Sequence, residues 1–265
     1  VINGCQTSST LQENKLLLTD SVNVVVKVIE SPENDASSDI IAATNSQSDI
    51  PKEAFFGLRS KAKLVQKYFK AQVEIVSAEN FVYFERRQGE YKYSGYQSTR
   101  IFEVREVARC YAAMFLDLPH NAARYVATIF SASGEKLFCE EDHESYYFVA
   151  CLALYKYQTL INGRKSNAQN YIKFRWHIIQ LFKWMCTGSM ETPPPNSKKA
   201  PAYASKLIES LNSANRTYIK VFERCQRIVD EVGFPTDDEL KRGKFTQELQ
   251  LAAKASISKG KGSKA

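Results

Sequence analysis

The sequence predicts an α+β fold that is predominantly α-helical, with a small α/β layer at the N-terminus followed by an antiparallel helical domain. Three observations predict it. Val22, Val24, Val25, Val26, Val28 and Ile29 make residues 22–29 nearly continuous in β-branched side chains, the pattern of a strand covered on both faces. From Ser98 onward the apolar residues instead step by three and four, as on helices that bury one stripe. The loops between those steps are short, which favours antiparallel neighbours. With 265 residues, 44% of them hydrophobic, the chain can bury a core in one or two domains. The expected division is an α/β region over 1–97, a helical domain over 98–250 with a Pro-rich loop at 188–201, and a disordered basic tail over 251–265.

Taken in order, Val1-Ile2 ends a strand, Asn3-Gly4-Cys5-Gln6-Thr7 forms a tight turn, and Ser8 to Leu18 forms a helix with Leu11 and Leu16 to Leu18 as its apolar face. The strand over 22–29 follows, then a loop at Ser31 to Asp35 and a short helix capped by Ser37 or Ser38. Thr44 to Ser48 is a run of polar, uncharged side chains, readable as a helix-ending loop or as groups suited to a nucleotide base, sugar or phosphate. Pro51 opens a long amphipathic helix in which Phe55, Leu58, Ala62, Val65, Phe69 and Val73 face the sheet, while Arg59, Lys61, Lys63 and Lys67 form a solvated outer face. Phe81 to Phe84 reads as a strand, Gln88-Gly89 as a turn and Tyr91 to Tyr93 as the return strand of a hairpin, with Glu85-Arg86-Arg87 at or near its tip.

Helices then follow over Val104 to Phe115, Ala122 to Phe130, Phe148 to Leu160 and Tyr171 to Met185. Gly188 to Pro201, centred on Pro193-Pro194-Pro195, is an exposed loop or linker. Leu207 to Val232 reads as one last long helix, stopped by Gly233 and Pro235.

The net charge of +7 is concentrated at one end: residues 241–265 hold seven Lys or Arg against Glu248, a net +6. A tail, rather than a groove on the folded body, therefore accounts for the basic balance. No basic and aromatic stacking platform is evident, so nucleic-acid binding is expected to be weak, electrostatic and mostly lost on deleting Leu249 to Ala265. Six scattered cysteines without a CxxC pair fit reduced, buried thiols. No apolar run is long enough to span a bilayer, so no membrane association is expected and a cytoplasmic location is.

The stretch that carries most chemistry is the opening turn. A strand, a glycine turn and a helix start expose backbone N–H groups and the positive end of the helix macrodipole, where a phosphate can sit. Gly4 allows close approach, and Gln6, Thr7 and Ser8 add donors; Thr7 or Ser8 can equally be a plain helix cap. INGCQT, VVVKVIE (Val24 to Glu30), ATNSQSDI (Ala43 to Ile50) and YFERRQGEY (Tyr83 to Tyr91), in this order, resemble the abortive infection phage resistance (AIPR) family of bacteria. That resemblance implies a phage-defence role, and it implies that the chain is the C-terminal part of a longer protein whose upstream portion could house catalytic carboxylates.

NGCQT is also locally similar to the DGQQR-type turn of the ParB/sulfiredoxin-like superfamily, which holds nucleotide phosphates. Thr7 stands where that motif has Arg and Asn3 where it has Asp, so nucleotide hydrolysis is in doubt and Arg86 or Arg87 would have to supply the missing charge. The candidate phosphate or nucleotide site is thus Asn3, Gly4, Gln6, Thr7, Asn45, Gln47, Arg86 and Arg87, with nucleotide or nucleic acid as ligand. The alternative is a non-enzymatic sensing or scaffolding module that binds a partner protein, or itself, through its helical half. No cofactor is assigned. Cys139 to Glu144 is the one metal-like cluster, but acids at a helix start suit the macrodipole anyway and no second ligand pair is visible. No catalytic triad, HExxH or Walker loop is present.

Overall fold

The computed structural model describes residues 5–26, 52–75 and 81–262. Within them the chain is mostly helical, with one two-stranded sheet. The helices are α1 (Cys5–Glu13), α2 (Ser60–Ile75), α3 (Val104–Phe115), α4 (Pro119–Arg124), α5 (Val126–Ser133), α6 (Ser145–Asn162), α7 (Arg175–Thr187), α8 (Ala200–Asn212), α9 (Tyr218–Val232) and α10 (Gly243–Gly262). The strands are β1 (Tyr83–Glu85) and β2 (Ile101–Glu103).

Helix α6 is the hub, because every residue from Ser145 to Tyr157 is buried. A helix apolar around its whole circumference must be enclosed by others, and α2, α3, α7 and α8 all pack on it. One contiguous apolar core runs from Ala62 on α2 to Ile257 on α10 and includes Phe84 and Phe102 of the two strands. The ring of Phe69 on α2 meets that of Phe84 on β1 at 5.8 Å and that of Phe148 on α6 edge to face at 5.1 Å, so aromatic contacts tie the sheet to the helices. No helix among the described residues is long and apolar enough to cross a membrane.

The sheet differs from the hairpin that the sequence predicts. β1 pairs in parallel with β2, in the register Tyr83 to Ile101, Phe84 to Phe102 and Glu85 to Glu103, so a strand beyond residue 100 joins the sheet and the boundary expected near residue 97 does not separate strands from helices. Tyr91 to Tyr93 is no return strand. Residues 86–100 form a crossover of consecutive turns, closed by the Glu90 N–H on the Arg87 carbonyl, Lys92 on Gly89 and Ser94 on Tyr91. Bonds of that span curl the chain instead of extending it, and Gly89 and Gly95 take the positive φ such turns require.

Other expectations also change. Cys5, Gln6 and Thr7 belong to the first described turn of α1, not to the turn before it. None of residues 7–26 is buried; Leu16 is 98% exposed, and residues 22–26 have no regular structure. A β-branched run becomes a strand only against pairing neighbours, and among the described residues none lies beside Val22 to Val26; positions 27–29 lie outside them. The Phe55 to Val73 helix is instead a 3-10 segment over Lys52–Leu58 followed by α2.

Lys61 and Arg59 are not solvated: Lys61 is buried, and Arg59 donates to the Gly134 and Leu137 carbonyls at 3.0 and 2.7 Å. The helix expected over 122–130 breaks at Tyr125, whose backbone leaves the helical region. The one expected over 207–232 is two helices, parted at Ser213 to Thr217 where Arg216 is left-handed.

The Pro-rich segment is a strap rather than a free linker. The Tyr146 hydroxyl donates to the Pro193 carbonyl at 2.7 Å and the His143 N–H to the Pro195 carbonyl at 2.9 Å. The tail expected to be disordered is helical to Gly262, with Phe245, Leu249, Ala253 and Ile257 buried. Those four positions, four residues apart, give α10 a narrow apolar stripe that suffices to dock it.

Candidate nucleic-acid interface

The crossover between β1 and β2 rests on a polar clamp. Gln66 of α2 donates to the Phe84 carbonyl at 3.0 Å and to the Glu90 carboxylate at 2.7 Å. The buried Glu85 carboxylate accepts the Tyr91 N–H at 3.1 Å. With Glu85 and Glu90 turned to these partners, the outward face of the crossover keeps Arg87, Lys92, Tyr93 and Tyr96, all exposed.

Aromatic rings organise that face. Tyr83, buried on β1, stacks on Tyr96 at 3.9 Å with the planes 8° apart, and Tyr91 leans on both at 5.6 Å. Such a stack seats Tyr96 on the buried Tyr83 ring while leaving it 44% exposed. Tyr93 is 85% exposed, with the Lys92 ammonium 5.2 Å from its ring centre. Burial and then the neighbouring Glu90 push the Tyr91 hydroxyl up to about 12, and burial likewise raises Tyr83; both are neutral donors at physiological pH. Exposed Lys63, Lys67 and Lys70 share one side of α2, and Lys70 reaches the Glu90 carboxylate at 3.5 Å, so this basic side borders the crossover. Exposed rings beside mobile cations are what base stacking and phosphate contact need. The structure therefore groups exposed rings and cations around the crossover, a grouping that the sequence reading does not find.

The predicted site residues are only partly brought together. Asn3, Gly4, Asn45 and Gln47 lie outside the described residues. Gln6 and Thr7 stand in the first described turn of α1, with Thr7 exposed. Arg86 and Arg87 part company. Arg86 turns inward, its guanidinium donating to the Gly57 carbonyl at 2.9 Å, and burial followed by the Arg87 charge lowers its pKa. Gly57 is fitted to that contact, since a Cβ there would lie 2.6 Å from the Arg86 carbonyl oxygen. Arg87 points to solvent.

Lys92, Tyr93 and Tyr96 are the additions. Their signal is present in the sequence as tyrosines interleaved with Lys and Gly over 91–96.

The Cys139 to Glu144 segment is divided among separate partners. Asp142 accepts from the Tyr111 and Tyr147 hydroxyls, each at 2.9 Å; His143 pairs with Ser145 at 2.7 Å; Glu144 pairs with Lys61 at 2.8 Å. Among the described residues no group of three potential ligands is placed to hold a metal ion. His120 is helical and meets the Thr246 hydroxyl at 3.2 Å, and His177 is fully buried.

Compared with known proteins, the sequence model of a family described as AIPR protein matches residues 1–235. No curated protein and no solved structure matches the chain.

Proposed function

The chain belongs to the AIPR family, and from that premise we propose that it serves phage defence by abortive infection through binding the phosphates and bases of single-stranded nucleic acid. Family membership points to the defence role. The binding reading is carried by one observation: Tyr83 backs the exposed ring of Tyr96 on a crossover that also presents Tyr93, Arg87 and Lys92. Each base has a π face, so such a platform is tolerant of sequence, with stacking worth about 1–3 kcal/mol per base. Arg87 supplies a fork suited to phosphate oxygens. Asn3, Gly4, Gln6, Thr7, Asn45 and Gln47 are proposed as a second phosphate contact.

The test is fluorescence anisotropy of a labelled single-stranded oligonucleotide on the longest natural form of the protein. Lys92→Glu and Tyr93→Ala are expected to weaken binding at least fivefold each, while Gln at Lys259, Lys261 and Lys264 changes it little. Unchanged affinity in both crossover variants would remove this reading. Binding by a partner protein through the helical half would then stand in front.

A further inference from the structure

On the far side of the Pro-rich strap, a groove of about 730 Å3 runs along α8. Its rim carries Lys198, Lys199 and Lys206, and its floor includes Pro193, Tyr203 and Val221. Lys199, Tyr203, Lys206 and Ser210 recur at helical spacing, so a single side of α8 presents cations, a ring and a hydroxyl to the same space. Glu191 is the one acid lining it. None of the three lysines has an ion-pair partner among the described residues. Uncompensated positive charge around a concave surface concentrates anions.

Tyr203 is 9% exposed, and its hydroxyl lies beside those of Thr187 and Thr192, so the ring forms part of the groove's floor and not a free donor. The α8 N-terminus, where Lys199 is the cap residue, has no side-chain cap. Its positive end therefore adds to the lysines.

We propose that this groove binds a nucleoside oligophosphate, with the ring system over Pro193, Tyr203 and Val221 and the phosphates among Lys198, Lys199 and Lys206. The volume suits a ligand of that size, since small-molecule sites generally span about 300–1,000 Å3. An apolar floor with a lysine rim also matches a molecule that is flat and apolar at one end and polyanionic at the other. The site is separate from the crossover face, so either can fail without the other.

Calorimetric titration of ATP and of inorganic tripolyphosphate into the full chain tests it. Saturable ATP binding is expected, weakened at least tenfold by Lys199→Glu or Lys206→Glu. Lys206→Arg should keep most of the affinity, and Lys92→Glu, on the crossover, should leave it unchanged while weakening oligonucleotide binding. Thermal melts of each variant separate lost binding from lost folding. Absence of ATP binding by the wild type, or equal affinity in both charge reversals once folded, would overturn the proposal. Tripolyphosphate binding as tightly as ATP would overturn the role of the floor.

Discussion

Lys61 places its ammonium 2.8 Å from the Glu144 carboxylate and 2.7 Å from the Asp142 carbonyl oxygen, and so ties α2 to the segment that leads into α6. Lys61 is 5% exposed and Glu144 20%. Removing one partner from such a pair leaves the other charge poorly solvated, so Lys61→Met is expected to cost roughly 2–4 kcal/mol, less than a fully buried pair because Glu144 keeps some contact with water. Burial raises the Glu144 pKa, but the Lys61 hydrogen bond and charge outweigh it and leave the carboxyl below its ordinary value of 4.5. A depressed carboxylate stabilises the fold above its unfolded pKa and loses that contribution as pH falls through the folded one. Wild type should therefore lose stability relative to Lys61→Met below about pH 4.5. Denaturant melts of both proteins between pH 7 and pH 3 check this; parallel curves would contradict it.

His177 gives the opposite kind of group. Its ring is fully buried against Phe245 at 5.2 Å, neither nitrogen has a hydrogen-bond partner among the described residues, and burial, with a smaller push from His120, lowers its pKa from 6.5 to about 3. The folded protein keeps it neutral while the unfolded chain protonates it, so stability falls as pH drops from 6.5 toward 3. His177→Leu is expected to raise stability at acidic pH and to flatten that slope by up to about 1.4 kcal/mol per pH unit. Thermal melts of the two proteins across that window provide the measurement, and an unchanged slope would show that the ring is solvated in solution.

Much of the helical half was legible because its signal is local. Val104 to Phe115 and the stops at Gly188 and Gly233 follow from apolar spacing and from glycines that take positive φ at helix ends, 64° and 94°. The parallel sheet was not legible, since β1 and β2 are three residues each and their pairing depends on a crossover whose turns look like hairpin punctuation in sequence. Lys61 reads as solvated for a similar reason: nothing near it in the chain announces Glu144, which arrives from another element. At the candidate site, the Tyr91 to Tyr96 spacing carried the information, but only the Tyr83 and Tyr96 stack shows which rings are held and which are offered.

Helix α10 is hard to read from the sequence because its stripe is only one residue wide and uses Ala253. Leu249 is nonetheless completely buried. Leu249→Ala is expected to destabilise the protein by about 2–4 kcal/mol through lost burial and a residual cavity, whereas Lys254→Ala, on the exposed side, should stay within about 0.5 kcal/mol. Hydrogen exchange should likewise protect amides from Leu249 to Ile257. Exchange there as fast as in an unfolded peptide would mean that the helix does not dock.

The adjacent arginines give the sharpest separation of structure from binding. Arg86 is spent on the Gly57 carbonyl, a charged hydrogen bond whose loss is worth about 1.5–3 kcal/mol, so Arg86→Ala should lower stability by that order. Any effect of that variant on ligand affinity should follow the fraction unfolded. Arg87 is exposed and touches no such partner among the described residues, so Arg87→Ala should change stability by less than about 0.5 kcal/mol. Its effect should appear in binding instead: removing one phosphate contact to a single strand lowers the slope of log affinity against log salt by about 0.7. Titrations of a labelled oligonucleotide at several salt concentrations, run beside urea melts, place both variants on the same two axes. If Arg86→Ala proves fully stable yet binds poorly, the guanidinium serves the ligand rather than Gly57. If Arg87→Ala leaves the salt slope intact, the crossover does not meet phosphate at this residue.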